Sequence, residues 1–358
     1  MKTFLVGAAA LLFTIVSFAQ VFITQPGSFN LANGTQTGFG QQSFIDQPGD
    51  NNVAFTDQTG FFNLSDIDQL ADFNNALAFQ TGVGLTSTLV QDGDDNTANI
   101  TQNGFFSAST IEQVGDLNNA DVVQFGDDNE SLLTQMGNDN EADIEQDGDQ
   151  NFSNVITIGN RNDVSVDQDG DINQADVVQL GNRNNVDAKQ DGFGNFIMSE
   201  QFGNRNRNNV DQSGDTNFAV SLQDGNRNFI DANQTGDNNE SFSYQAGNRN
   251  RNNVVQLGNS NLSQVSQVGN RNRSSGTQAG DQNLNNIDQQ GLRHFSSALQ
   301  LGDLNKNEVL QQGSDHTATV LQNGDMNCTK IFQLSTGGPH SVTVLQPGNN
   351  NIACILQQ

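Results

Sequence analysis

His294 and His316 stand twenty-two residues apart, Cys328 and Cys354 twenty-six, and forty-one carboxylates are spread along the chain. These are the side-chain types from which hydrolases, thiol enzymes and metal centres are built. Here they do not converge. Every Ser and Asp falls on a position set by a repeat, and three His cannot make a hydrolase by themselves. Asp92, Asp147 and Asp169 occupy the slot between a Gln and a Gly, which marks a solvated stripe rather than a desolvated catalytic pair. The turns "GDDN" at 93–96 and 126–129 invite calcium, but the calcium β-roll uses a Gly-rich nonapeptide and the period here is eleven. Loose counter-ion binding along an acidic edge is the expectation. No enzyme, no cofactor and no specific small-molecule ligand is expected.

What positions these residues is a repeat. From Gln25, in steps of eleven, Gln recurs at every position to Gln146; Thr157 interrupts once, and the series resumes at Gln168 and runs to Gln333. Two extra residues enter around Ser335–His340, after which Gln346 and Gln357 follow. Gly stands two residues after nearly every Gln and Asn five after. The residues Gln91, Gly93, Asn96 and Gln102, then Gln113, Gly115, Asn118 and Gln124, then Gln135, Gly137, Asn140 and Gln146 show the pattern intact. Between Asn and the next Gln the chain alternates: Asn96, Ala98, Ile100 and Gln102 share one side, Thr97, Asn99 and Thr101 the other. Period two denotes a β-strand. Gly-x-x-Asn is turn chemistry, with positive φ expected at Gly and Asn.

A finer signal doubles the period. The small residue runs Ala32, Ser43, Ala54, Ser65 and onward in strict alternation to Ser153. Two unlike eleven-residue arms therefore make one twenty-two-residue coil. The predicted fold is all-β, a two-sheet parallel β-solenoid of stacked strand-turn-strand coils, rising about 4.8 Å per coil. Its inward face carries ladders of Gln, Asn, Ala or Ser, and β-branched residues.

Composition agrees with a ladder rather than a conventional core: 34% hydrophobic, no Trp, 36 Gly and a net charge of -27. That charge argues against general nucleic-acid or anionic-membrane binding. Lys2, the apolar run that follows it and Ser17-Phe18-Ala19 read as an export signal over residues 1–19, with the repeat domain at 20–358. The protein is expected to be secreted.

The pattern Gln-x-Gly-x-x-Asn-x-Ala-x-x-x-Gln, present as "QDGDDNTANITQ" (91–102), "QVGDLNNADVVQ" (113–124) and "QMGNDNEADIEQ" (135–146), resembles the curlin repeat of curli, the extracellular amyloid fibres of bacterial biofilms. The resemblance implies a secreted subunit that self-assembles into fibres at the cell surface, helped by a nucleator homologue and a dedicated secretion channel. A second reading is a monomeric secreted β-solenoid with a surface-binding face, an adhesin or ice-binding protein. The irregular outward residues, Thr97/Asn99/Thr101 in one arm and Glu141/Asp143/Glu145 in another, weigh against an ice-binding array.

Three groups sharpen this reading. "GNRN" turns place Arg161, Arg183, Arg205, Arg227, Arg249 and Arg271 in one column, twenty-two residues apart. Either Asp163, Asp167, Asp187 and Asp211 neutralise it, or it forms a basic rail for extracellular polysaccharide or DNA. The aromatics Phe39, Phe61, Phe62, Phe105 and Phe106 fall on the opposite edge. His294, His316 and His340 are expected to stack in the Asn column, and Cys328 and Cys354, two places out of line, to remain free. The inward pattern reaches Val21 at one end and Gln357 at the other, so both terminal coils are expected to template the next molecule head to tail.

Overall fold

The computed structural model describes residues 19–335 and 338–358. Thirty-one strands run from β1 (Gln20–Thr24) to β31 (Ile352–Gln357), with no helix among the described residues. The odd-numbered strands form a sixteen-stranded sheet and the even-numbered ones a fifteen-stranded sheet. Every pairing is parallel, and each strand pairs with the strand two further on, so the chain winds as a solenoid. Ala120 lies over Ala142, Val122 over Ile144 and Gln124 over Gln146, a shift of twenty-two residues.

Alternation dictates which side is buried. In the strand Thr97–Phe105, Ala98, Ile100 and Gln102 are buried while Thr97, Asn99 and Thr101 are half-buried on the outer face. The dry part of the core is a column of Ile45, Ile67, Leu89, Ile111 and Leu133 in one sheet against Ile100, Val122, Ile144 and Val166 in the other. Each such side chain stabilises by about 1.5–3 kcal/mol when fully buried. The column thins further along, where Ser199, Ser221 and Ser243 and Ala188, Val210 and Ala232 take the same places.

The turns depart from the sequence expectation in one respect. Gly takes a positive φ, 125° at Gly159 for instance, but the second positive-φ residue is the one before Asn, such as Asp95, Arg161 or Ile172. The Asn itself is buried. Its side chain belongs to an internal ladder, so the left-handed strain, about 1–2 kcal/mol for a residue with a Cβ, falls on its neighbour. The Gly is required by contact as much as by φ. A Cβ on Gly159 would run into the carbonyl oxygen of Gly181 in the next coil.

The two-residue insertion overlaps residues 336–337, which lie outside the described residues. On either side of it the ladder resumes with a spacing of twenty-four: Gln322 donates to Gln346 and Gln333 to Gln357. Cys328 pairs with Ile352 and Lys330 with Cys354, so the thiols are two places out of line, and both are free.

Candidate functional site: the amide ladders and the two edges

Buried Gln side chains form two ladders, one against each sheet. In the first, the Nε2 of Gln91 donates to the Oε1 of Gln113 (2.9 Å), and Gln113 to Gln135 (2.9 Å). In the second, Gln102 donates to Gln124 (2.8 Å) and Gln124 to Gln146 (2.8 Å). The same Nε2 atoms donate again, to a main-chain carbonyl sixteen residues back, as Gln91 does to Asn75. A buried primary amide thereby uses both its protons and its oxygen. Asn runs the opposite way: the Oδ1 of Asn96 accepts the backbone N–H of Asn118, and the Nδ2 of Asn118 donates to the carbonyl of Gly137. The Asn140 backbone N–H repeats the contact with Asn118. Gly93, Gly115 and Gly137 open these turns at φ of 127°, 106° and 115°.

Thr157 breaks one ladder. Its Oγ1 is buried without a partner, and so is the Oε1 of Gln179 in the next coil. At the far end, three imidazoles replace Asn. His294 and His316 stack at 5.1 Å between centroids, and His316 and His340 likewise at 5.1 Å. The Nδ1 of His294 accepts the backbone N–H of His316 (3.3 Å), and the Nδ1 of His316 that of His340 (3.1 Å). Burial pushes the His294 pKa down, with the neighbouring His316 adding to it.

The solenoid has two edges of turns, and they carry different side chains on one backbone plan. One edge holds Asp127, Asp149 and Asp171, then Asp215 and Asp237, each Oδ1 accepting a backbone N–H from the preceding coil. On the other edge the same bond is made by Asp72, Asp94 and Asp116 in early coils and by Asn160, Asn182 and Asn204 in later ones. The change from Asp to Asn comes at Asn138, one coil before the Arg column starts.

Arg161, Arg183, Arg205, Arg227, Arg249 and Arg271 are all exposed and line a groove of about 1380 Å³ along that edge. Arg293 extends the column. The carboxylates that sequence reading offered as neutralising partners do not serve. Asp163, Asp187 and Asp211 make no ion pair among the described residues, and Asp167 pairs with Lys189 (3.2 Å). Only the two ends of the column are paired: Arg161 with Asp139 (2.9 Å) and Arg293 with Asp315 (2.7 Å). The physical reason is direction. Those Asp side chains stand on the strand face, whereas the Arg side chains leave from the turn.

Sequence reading also missed a second basic column. Arg207, Phe229, Arg251, Arg273 and Phe295 are successive partners on the outer face beside the same edge. Arg207 and Arg251 lie over the Phe229 ring, at 6.0 and 5.0 Å from its centroid, and Arg273 over Phe295 at 5.8 Å. A twenty-two-residue scan across Arg and Phe together would have found it. The aromatics of the opposite edge include one close pair, Phe39 against Phe62 at 5.3 Å, edge to face.

Stacked amide ladders inside a parallel two-sheet solenoid define a structural repeat protein of the cross-β type. The model of the curlin associated repeat matches residues 110–137, 137–170, 159–192 and 225–258. In these four segments the chain carries curlin-type repeats. No curated protein matches the chain. Family and fold both point to a structural role rather than to catalysis.

Proposed function

We propose that the chain is an exported subunit that self-assembles, head to tail, into an extracellular curli-like amyloid fibre of the biofilm matrix. Residues 1–19 serve as the export signal and 20–358 as the polymerising unit. The observation that carries this reading is the translational identity of the coils. Gln25 already donates to Gln47 and Gln333 still donates to Gln357 in the one file, interrupted at Thr157, and Gln36 to Gln58 and Gln322 to Gln346 in the other, so both ladders reach the outer described coils. There, among the described residues, β1 has β3 (Gln42–Asp46) as its one neighbour and β31 has β29 (Cys328–Ser335). The inward residues Val21 and Ile23 of the first coil are exposed. An unpaired parallel edge with a matching ladder is a template for another copy, and the contact is heterologous, so it does not close.

Its partners are copies of itself, a nucleator homologue, a secretion channel, and an anionic matrix polymer such as extracellular polysaccharide or DNA. Net charge opposes association, so growth starts after a lag and accelerates with salt. Fibres formed from purified protein should give a meridional reflection at about 4.7–4.8 Å and should seed fresh monomer. Protein that stays monomeric for days at micromolar concentration in physiological salt, even when seeded, would overturn the reading.

A further inference from the structure

We infer that the arginine edge is a binding groove for a linear polyuronate, a 1,4-linked chain carrying one carboxylate per sugar ring. The first argument is the change of side chain at the base of the groove. In the early coils Asp72, Asp94 and Asp116 accept the backbone N–H of the coil before. From one coil before the first Arg, Asn138, Asn160, Asn182, Asn204 and Asn226 take over. Asn and Asp accept that bond equally, but only Asp would neutralise the neighbouring guanidinium. The swap keeps the fold and withholds the charge. Arg183, Arg205, Arg227, Arg249 and Arg271 accordingly have no carboxylate within ion-pair distance among the described residues, while the column's two ends do. Like charges stacked at coil spacing repel, so a compensating anion from outside is the missing element.

The second argument is what the groove offers per coil. Each Asn Nδ2 donates one proton to the next Asn, as Asn182 does to Asn204 (3.0 Å) and Asn204 to Asn226 (3.0 Å). A primary amide has two protons, so one donor per coil is left uncommitted beside one guanidinium. Guanidinium plus amide N–H, repeated at about 4.8 Å, fits a carboxylate and an adjacent sugar oxygen on each ring of an extended polymer.

The third argument separates this from nucleic acid. Duplex DNA carries a phosphate about every 3.4 Å along each strand, which falls out of step with the coils. Base stacking on a single strand would need free aromatic faces. The Phe229 ring is already covered by Arg207 and Arg251, and Phe295 by Arg273. Those flanking arginines instead widen the cationic strip on which the polymer lies. The groove lies within one chain, so this inference does not depend on polymerisation.

The test uses the immobilised full-length chain at low salt, with de-esterified polygalacturonate as the probe. Its fully methyl-esterified counterpart serves as the uncharged control, and duplex DNA as the competing polyanion. The de-esterified polymer should bind with an affinity that falls as salt rises, and the esterified polymer should not bind. Replacing Arg205, Arg227 and Arg249 together by Asn should weaken binding by about 100-fold. Asn already occupies the equivalent left-handed position at Asn51 and Asn350, so the fold is expected to persist, checked by its circular dichroism. A second variant with Lys at the three positions should recover most of the affinity. Equal binding of the esterified polymer, tighter binding of duplex DNA, or an unchanged triple-Asn variant would each overturn the assignment.

Discussion

The two edges of the solenoid share one backbone and differ in everything they show to solvent. Both use Gly at positive φ, a left-handed residue two places on, and a buried Asn or its substitute directly after that. Gly203 and Gly214, from opposite edges, have φ of 112° and 115°. Yet one edge is a file of Asp127, Asp149, Asp171, Asp215 and Asp237, and the other, over the same coils, a file of Asn and Arg. The difference teaches that the stacking bond needs only an oxygen acceptor. Charge at the edge is free to vary, and therefore free to be used.

The largest effect tests the shared part. A Cβ at Gly203 would strike the Gly225 carbonyl and one at Gly214 the Gly236 carbonyl. Gly203→Ala and Gly214→Ala should each destabilise the protein by about 3 kcal/mol, from overpacking plus an unfavourable φ. Urea melts that differ between them by more than about 1 kcal/mol would show that the edges are not equivalent in backbone.

Next comes the ladder that lies between the edges. Gln201 accepts from Gln179 and donates to Gln223 and to the carbonyl of Asn185. Gln201→Ala strands those partners and should cost about 2–4 kcal/mol. The converse is Thr157→Gln, which supplies a donor to the file and an acceptor to it at the one gap; it should raise stability by about 1 kcal/mol. A neutral or harmful Thr157→Gln would show that the gap is not a missing rung.

Charge and pH give an intermediate effect. Burial raises the pKa of Asp121 and Asp143, and each is raised further by a neighbouring carboxylate, Asp143 and Asp167 respectively. Burial likewise raises Asp66 and Asp68. A raised folded pKa adds stability below the unfolded pKa, and that contribution is lost as pH rises through the folded value. Acidification from neutral pH into the carboxylate range should therefore shorten the lag of fibre growth, and Asp121→Asn with Asp143→Asn should mimic it at neutral pH. His294, at the end of the Arg edge, works against this. His294 has a lowered folded pKa, so its contribution is present above the unfolded value near 6.5 and is lost as pH falls. Hydrogen exchange in coils 294–340 should quicken below that pH while the remaining coils stay protected, and His294→Asn should abolish the difference.

The smallest effect returns to the turns. Ile172, on the Asp edge, holds φ of 60°, a conformation that a β-branched side chain resists. Ile172→Asn should stabilise by about 1 kcal/mol in a denaturant melt. The same exchange at Arg205 should gain less than this, because Arg is not β-branched.

Much of this molecule was legible in its sequence because a stacked coil leaves a residue no choice of neighbour but its own copy. The eleven-residue Gln period, the Ala–Ser alternation through Ser153 and the alternating burial of Ala98, Ile100 and Gln102 follow from period-two strands in a twenty-two-residue coil. The columns of His294, His316 and His340 and of Arg161 to Arg271 follow from the same arithmetic. Sequence spacing determines which residues share a column; it does not determine where a side chain points as it leaves a turn. That is why Asp163 and Asp187, close to the arginines in sequence, leave them unpaired, while Asp139 and Asp315, one coil away, bind the two end members. It is also why Arg161 and Ile172, and not the Asn that follows each, carry the left-handed strain: φ is settled by the competing demand for the Asn amide inside the coil. The Arg207–Phe229–Arg251 file arises from contact between unlike residues across coils, which a search for identical residues does not find. Periodicity determined the columns, and only three-dimensional packing decided which of them are satisfied.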